Sequence, residues 1–237
     1  RPVARWAAWT KFAISRLGDV ALLSAAVLIY SEFRTLDFAT LFSAIQAESY
    51  AVTVSLNLAA LLLVVGAVTK SAQVPFHTWL PQTLDTPTPV SALMHAGVVN
   101  AGGFLVIRMS PLVNEVPWSL GLLAVCGLVT ACYAATVMLT QTSVKSSLAY
   151  STIAQMGFMM LQCGLGAYSA AMVHIVAHSL YKAYAFLNSG NVLAERAARR
   201  HVASHPVAIA SPKLGLVAAL LSGWLWLGFA VVGINLL

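Results

Sequence analysis

The sequence predicts an all-α membrane protein, a polytopic bundle of transmembrane helices. Of its 237 residues, 59% are hydrophobic and 8% are charged, whereas a soluble domain is typically about 25% charged. The apolar residues fall in runs of roughly 20, the length that crosses about 30 Å of hydrocarbon as a helix. The runs are continuous and do not alternate with polar residues, which argues against a transmembrane β-barrel. The net charge of +6 does not point to nucleic acid, because the basic residues flank the apolar runs and form no single basic face.

About seven spans are expected, near 12–31, 51–70, 90–108, 119–140, 148–165, 168–193 and 214–237. The fifth is short and carries Gln155 and Gln162. With seven spans the connecting segments alternate sides. Arg1, Arg5, Lys11, Arg16, Lys145, Arg196, Arg199, Arg200 and Lys213 fall on one side; Arg34 and Arg108 fall on the other, with Glu32, Asp37, Glu48 and Glu115. The basic excess marks the cytoplasm, so the start of the chain and a loop over 194–213 are predicted cytoplasmic. The opening Arg1-Pro2 and the apolar Leu236-Leu237 read as interior to a longer polypeptide. The expectation is one transmembrane domain over 1–237, a fragment of a larger subunit. Cys126, Cys132 and Cys163 lie in apolar runs without a C-x-x-C pair or a neighbouring His, and read as structural thiols. No cofactor is expected in this chain.

The segment 70–90, KSAQVPFHTWLPQTLDTPTPV, holds Pro75, Pro81, Pro87 and Pro89. Proline lacks the backbone donor and clashes with the preceding turn. The second helix is therefore predicted to break near Pro75, with a short helix over about 75–84. A new helix would then be capped by Thr86 or Thr88, with Pro89 in its first turn. Broken helices at membrane depth are tolerated where their backbone lines a protein-buried or watery cavity, and they recur at ion sites of transporters.

Several ionisable residues lie inside or beside the apolar runs. His174, His178 and Lys182 are spaced i, i+4, i+8, one slowly drifting face of a helix. An ionisable group within a membrane costs at least a few kcal/mol and marks an ion or proton path by default. Histidine can accept and donate near neutrality, and lysine can lose its charge when desolvated. The two histidines could instead hold zinc, but a third ligand is wanting and a cation four residues on opposes it. Lys70 ends its apolar run beside the predicted break; a relay cation and a snorkelling interfacial lysine are both open. His95 has a relay and a packing reading. Lys145 reads on spacing as an interfacial cation, and Asp19 as a structural partner of Arg16 at i, i+3. His77, His201 and His205 receive no role.

The motifs K-S-A-Q-x-P-x-x-x-W-L-P, T-P-V-S-A-L-x-H-A, K-x-x-L-A-Y-S-T-x-x-Q-x-G and H-x-x-x-H-x-x-x-K resemble the antiporter-like subunits of respiratory complex I and of Mrp-type cation/proton antiporters. They also resemble the membrane-bound hydrogenases. The resemblance implies a proton path through Lys70, His95, Lys145, His174, His178 and Lys182, and it alone raises Lys145. It places the acidic partner of Lys70 upstream of Arg1. MHAGVVNAGGFL, IVAHSLYKA and the opening RPVARWAAWTKFAISR resemble the membrane subunit of DAB-type inorganic carbon uptake complexes of bacterial plasma membranes. That branch implies a large carbonic-anhydrase-like partner, with zinc in the partner, driven by proton or sodium flow. The alternatives are a pumping subunit of an NADH-quinone oxidoreductase-like complex and a subunit of an Mrp-type exchanger.

Overall fold

Apolar runs this long satisfy their backbone within helices, and helices are what they form. The computed structural model describes residues 2–47 and 52–189, and these contain helices, turns and loops but no strand. In order they are α1 (Pro2–Phe33), α2 (Phe38–Ile45), α3 (Val54–Lys70), α4 (Trp79–Gln82), α5 (Thr88–Ala96), α6 (Ala101–Arg108), α7 (Ser110–Asn114), α8 (Pro117–Leu139), α9 (Val144–Gly164) and α10 (Tyr168–Asn188). A short 3₁₀ turn at Val98–Asn100 joins α5 to α6, so the third expected span is kinked. The first six expected spans match α1, α3, α5–α6, α8, α9 and α10. The seventh, and the loop 194–213, lie outside the described residues.

Arg5–Phe33, Thr88–Arg108 and Pro117–Leu139 are long and apolar enough to cross a membrane, and Val54–Lys70 is a shorter apolar helix. The faces that α8 and α10 turn outward are apolar: Trp118 is 80% exposed, Leu139 81% and Leu180 71%. Apolar surface of this extent fits contact with lipid or other membrane subunits. At 32 residues, α1 is about 48 Å long, longer than the hydrocarbon requires. Its first turns carry Arg5, Trp6, Trp9 and Lys11, the mixture found at membrane–water interfaces.

Two short helices, α2 and α7, are additions to the sequence reading. Asp37 caps α2 by accepting from the Thr40 amide at 2.9 Å and the Thr40 hydroxyl at 2.8 Å, and Leu41 and Ile45 turn inward. The guanidinium of Arg108 lies over Phe38 at 4.7 Å and Phe42 at 5.8 Å, tying α2 to the end of α6.

The break opens earlier than the prolines suggest. α3 ends at Lys70, and Ala72 takes a left-handed conformation, φ 50°. The Gln73 amide then bonds back to the Val68 carbonyl at 3.1 Å and the Ser71 amide to Ala67 at 3.0 Å, a closed helix end that no longer points onward. Pro75 lies within the irregular stretch, and helix resumes only at Trp79. The expected caps are also corrected. Pro87 occupies the cap position of α5 with no side-chain cap bond, while the Thr86 hydroxyl is engaged with Ser91 at 2.9 Å. Pro89 does stand in the first turn, where its missing donor leaves nothing unsatisfied.

Small residues bring the helices together. Gly18 and Gly66 sit at the α1–α3 contact against Thr69 and Leu22, and Gly102 and Gly103 set α6 between Ala67 of α3 and Met159 of α9. Gly127 and Gly157 face each other across α8 and α9. Close backbone approach through small residues is a main source of helix association in lipid. A β-carbon on Gly157 would stand 2.6 Å from the Ala131 nitrogen and 2.8 Å from the Gly127 oxygen, both backbone atoms. Gly157→Val is expected to destabilise the bundle by about 1–3 kcal/mol. Gly121→Ala, where nothing lies within 4 Å, should be neutral or slightly stabilising. Thermal unfolding of the two variants in detergent, read against the unaltered protein, checks the contrast.

Candidate ion path

The end of α3 presents the first ionisable group. Because the helix stops at Lys70, the lysine side chain turns to α1, where its ammonium pairs with the Asp19 carboxylate. It also donates to the Ser15 hydroxyl at 3.0 Å and approaches the Ser15 carbonyl at 3.4 Å. Asp19 is shared, since its second oxygen meets Arg16. The sequence reading had Asp19 as the partner of Arg16 only and sought the acid for Lys70 upstream of Arg1. The structure has a carboxylate for Lys70 within this chain. A charge inside the first apolar run, with an unpaired lysine elsewhere in the spans, was the available signal.

A short link leads onward from α3. The Ser71 hydroxyl donates to the Val99 carbonyl at 2.7 Å, joining the break to the 3₁₀ turn after α5. His95, one turn earlier, is fully buried and stacks on Phe186 of α10, 4.3 Å between ring centroids and 17° between planes. Asn100 donates to the Ser179 hydroxyl of α10 at 2.8 Å and to the Ala96 carbonyl at 2.7 Å. Asn100, Ser179 and Phe186 were not singled out from the sequence.

On α10 the i, i+4, i+8 stripe is formed. His174 and His178 have ring centroids 6.1 Å apart, and His174 Nδ1 lies 3.1 Å from Gln162 Oε1 on α9. His178 and Lys182 are buried, Lys182 with 0% exposure. The Lys182 ammonium donates to the Ser151 hydroxyl at 2.8 Å and the Leu148 carbonyl at 3.1 Å, both on α9. No carboxylate pairs with it among the described residues. His95, His178 and Lys182 lie within electrostatic range of one another. Lys145 is not brought into contact with them. It stands half-buried at the start of α9, one turn before Leu148, next to where the Lys182 ammonium arrives.

Counted along the chain, these groups lie at similar distances from the helix ends. At 1.5 Å per residue, Asp19, Lys70, His95, Ser151 and Lys182 lie about 20–24 Å from the helix ends Phe33, Val54, Arg108, Gly164 and Tyr168, respectively. Both ring nitrogens of His95 and of His178, and Asn100 Oδ1 and Gln73 Oε1, are buried without a hydrogen-bonding partner among the described residues. Buried polar atoms in folded proteins are nearly always satisfied, and water is the partner such sites accept. A row of this kind, crossing α1, α3, α5 and α10, has the chemistry to pass protons sideways between helices. No group of three metal-ligating side chains is gathered among the described residues.

The fold is that of a multi-pass membrane protein of an antiporter-like class. A family model described as NADH:quinone oxidoreductase/Mrp antiporter, TM, matches residues 1–229, and the chain belongs to that family. It is 50% identical to "Probable inorganic carbon transporter subunit DabB1" of Halothiobacillus neapolitanus over 84% of this chain and 36% of that protein. It is 42% identical to "NADH-ubiquinone oxidoreductase chain 5" of Metridium senile over 76% of this chain and 30% of that protein. Among solved structures, the Mrp complex of Dietzia sp. DQ12-45-1b contains a chain that superposes with a TM-score of 0.73 at 32% identity, over 81% of this chain and 22% of that one. Thus the chain spans well under half the length of the relatives it matches.

The geometry of the break depends on α8. The Val74 amide donates to the Thr130 hydroxyl at 3.0 Å, and the Cys126 thiol approaches the Val74 carbonyl at 3.3 Å. Thr130→Val keeps the shape and leaves the Val74 amide unpaired, which costs about 1–3 kcal/mol. Thr130→Ser, which keeps the acceptor, should retain most of the stability. Melting temperatures of the two variants, with Thr130→Val lower, are the check.

Proposed function

We propose that this chain is part of a proton- or sodium-translocating membrane subunit that couples ion flow to inorganic carbon uptake by a partner protein. The observation that carries the ion path is Lys182, wholly buried on a membrane helix and met, among the described residues, by a neutral hydroxyl, a carbonyl and the Tyr181 ring, with no carboxylate. A buried ammonium with no counter-charge is expensive, and it is retained where charge has to come and go. The path runs from the Asp19–Lys70 pair through His95 to His178 and Lys182. His174 extends it along α10 and Lys145 extends it along α9. Asn100 and Ser179 brace the junction.

The coupling to inorganic carbon rests on the likeness to DabB1. A carbonic-anhydrase-like partner carrying zinc, driven in the direction of bicarbonate formation, follows from that reading. So do a bacterial inner-membrane location and a cytoplasmic start to the chain, the latter favoured by the basic residues on that side. A second reading is a pumping subunit of a quinone-linked complex or an Mrp-type exchanger. The 42% identity to NADH-ubiquinone oxidoreductase chain 5 and the superposition on a chain of an Mrp complex favour it. The same side chains would serve.

The test uses the full-length gene and its neighbouring partner gene in a bacterium lacking carbonic anhydrase, scored for growth in air. Growth should require both genes and be lost in Lys70→Ala and in Lys182→Ala, with both proteins still present in the membrane. His95→Ala should reduce it less, since water can bridge the space left. Full growth of both lysine variants would remove the ion path. No rescue by the unaltered pair would favour the quinone-linked or exchanger reading.

A further inference from the structure

Thr152 is wholly buried on α9, beside Ser151, whose hydroxyl accepts from Lys182 at 2.8 Å. The Thr152 hydroxyl donates to the Leu148 carbonyl at 3.0 Å. The Lys182 ammonium donates to that same carbonyl at 3.1 Å. One backbone oxygen thus receives a hydroxyl from its own helix and an ammonium from the next. Threonines commonly bond the carbonyl four residues back, and Thr10, Thr130 and Thr136 do so at Trp6, Cys126 and Cys132. Of these four carbonyls, the one at Leu148 also receives a side chain from another helix among the described residues.

A carbonyl oxygen has two lone pairs, and within a helix it ordinarily takes the amide four residues on. Amide, hydroxyl and ammonium therefore compete at Leu148. Packing does not need the hydroxyl, since valine has nearly the same shape and brings no polar atom to bury. The titratable groups around Lys182 are His178 and Tyr181 on its own helix, His95 on α5, and Tyr150 and Lys145 toward the start of α9. No carboxylate pairs with it among the described residues. The dipoles that touch the ammonium thus bear directly on whether it keeps its proton.

We propose that Thr152 is a positioning residue for Lys182: its hydroxyl holds the Leu148 carbonyl while the lysine is neutral and shares it while the lysine is charged. This rests on the ion-path reading above. When Lys182 passes its proton on, one Nζ–H bond breaks, the proton bonds to an imidazole or water of the row, and the electron pair stays on Nζ. The Ser151 hydroxyl, donor or acceptor by rotation, turns its hydrogen to that pair. The Leu148 carbonyl, released by the ammonium, keeps the Thr152 hydroxyl as a donor, so the neutral state leaves no oxygen short. Thr152 keeps its own proton throughout, and return of the proton to Nζ reverses each step. Without the Thr152 hydroxyl, the ammonium meets less competition at Leu148 and the neutral state loses a donor there. Both changes favour the charged form and move proton release to higher pH. Without the Ser151 hydroxyl, the ammonium loses an acceptor, the stronger of that hydroxyl's two bonds, and release moves to lower pH.

The experiment measures proton flux with a pH-sensitive dye in membrane vesicles holding the full-length protein and its partner subunits, across the neutral and alkaline pH range. The variants are Thr152→Val, Thr152→Ser, Ser151→Ala and, as a control, Lys182→Ala, each at matched membrane levels; Thr152→Ala serves where Thr152→Val does not reach the membrane. Thr152→Val should raise the pH of half-maximal flux by about one unit, so that flux below that point falls about tenfold. Thr152→Ser, which keeps the hydroxyl, should keep the unaltered profile, and Ser151→Ala should move it the opposite way. A profile unmoved in Thr152→Val, with Lys182→Ala inactive, would overturn the positioning role and leave the ion path standing. Flux lost with the profile in place, or a Thr152→Ser profile displaced as far as that of Thr152→Val, would also overturn it, as a packing effect. So would a Ser151→Ala profile displaced in the same direction as Thr152→Val. Full flux in Lys182→Ala would instead remove the ion-path reading itself.

Discussion

A helix that ends inside a membrane must find protein partners for the backbone it releases, because lipid offers none. The end of α3 meets this condition and organises much of the described structure. Ser71 and Gln73 turn their amides back onto the helix, and Val74 is held by Thr130 and Cys126 of α8. With its backbone closed in this way, the helix can stop at Lys70 and deliver an ammonium group to α1. Had the helix run on to Pro75, Lys70 would sit mid-helix rather than at a free end, where the carbonyl ends of the dipole favour a cation. The same closure puts the Ser71 hydroxyl against Val99, so the break is fastened to the turn behind His95.

The two central lysines are held on different terms. Lys70 has a carboxylate, Asp19, and that carboxylate has a second cation in Arg16. Lys182 has a hydroxyl, a carbonyl and the neighbouring Tyr181 ring. Charge at the α1–α3 end is therefore compensated by protein, whereas charge at the α9–α10 end is met only by dipoles. In the proposed path, a row whose ends differ in this way would give an arriving ion two unlike resting places, with His95 and His178 between them. The imidazole of His95 stacks on Phe186, and neither of its nitrogens has a hydrogen-bonding partner among the described residues.

The helices and the α10 stripe were legible because both depend on local spacing. Apolar runs of span length, and a 3.6-residue period carrying His174, His178 and Lys182, need no knowledge of neighbours. What the sequence could not supply came from helix–helix register. Asp19 lies three residues from Arg16 and over fifty from Lys70 in sequence, so local reasoning found the Arg16 pair, which the structure keeps, and missed Lys70. Asn100 and Ser179 are unremarkable until two helices bring them within 2.8 Å. The break was expected from its prolines but starts earlier, since Ala72 in a left-handed conformation ends the helix before any proline does. The cap of α5 was misplaced for a related reason: Thr86 found Ser91 as a partner, and Pro87 took the position between.

The register of the helices that carry the row follows from the small residues more than from the ionisable ones. Gly18, beside Asp19, receives the last turn of α3 at Thr69, and this contact fixes the height of Lys70 on α1. Gly102 and Gly103 let α6 press against Ala67 of α3 and Met159 of α9, which sets the height of His95 between them. Gly127 and Gly157 hold α8 to α9, and so relate Thr130, which anchors the break, to Ser151, which receives Lys182. A one-turn slip at any of these contacts would move a helix by about 5.4 Å, more than a hydrogen bond can span. Glycines, which carry no charge themselves, are thus what keep the charges in line.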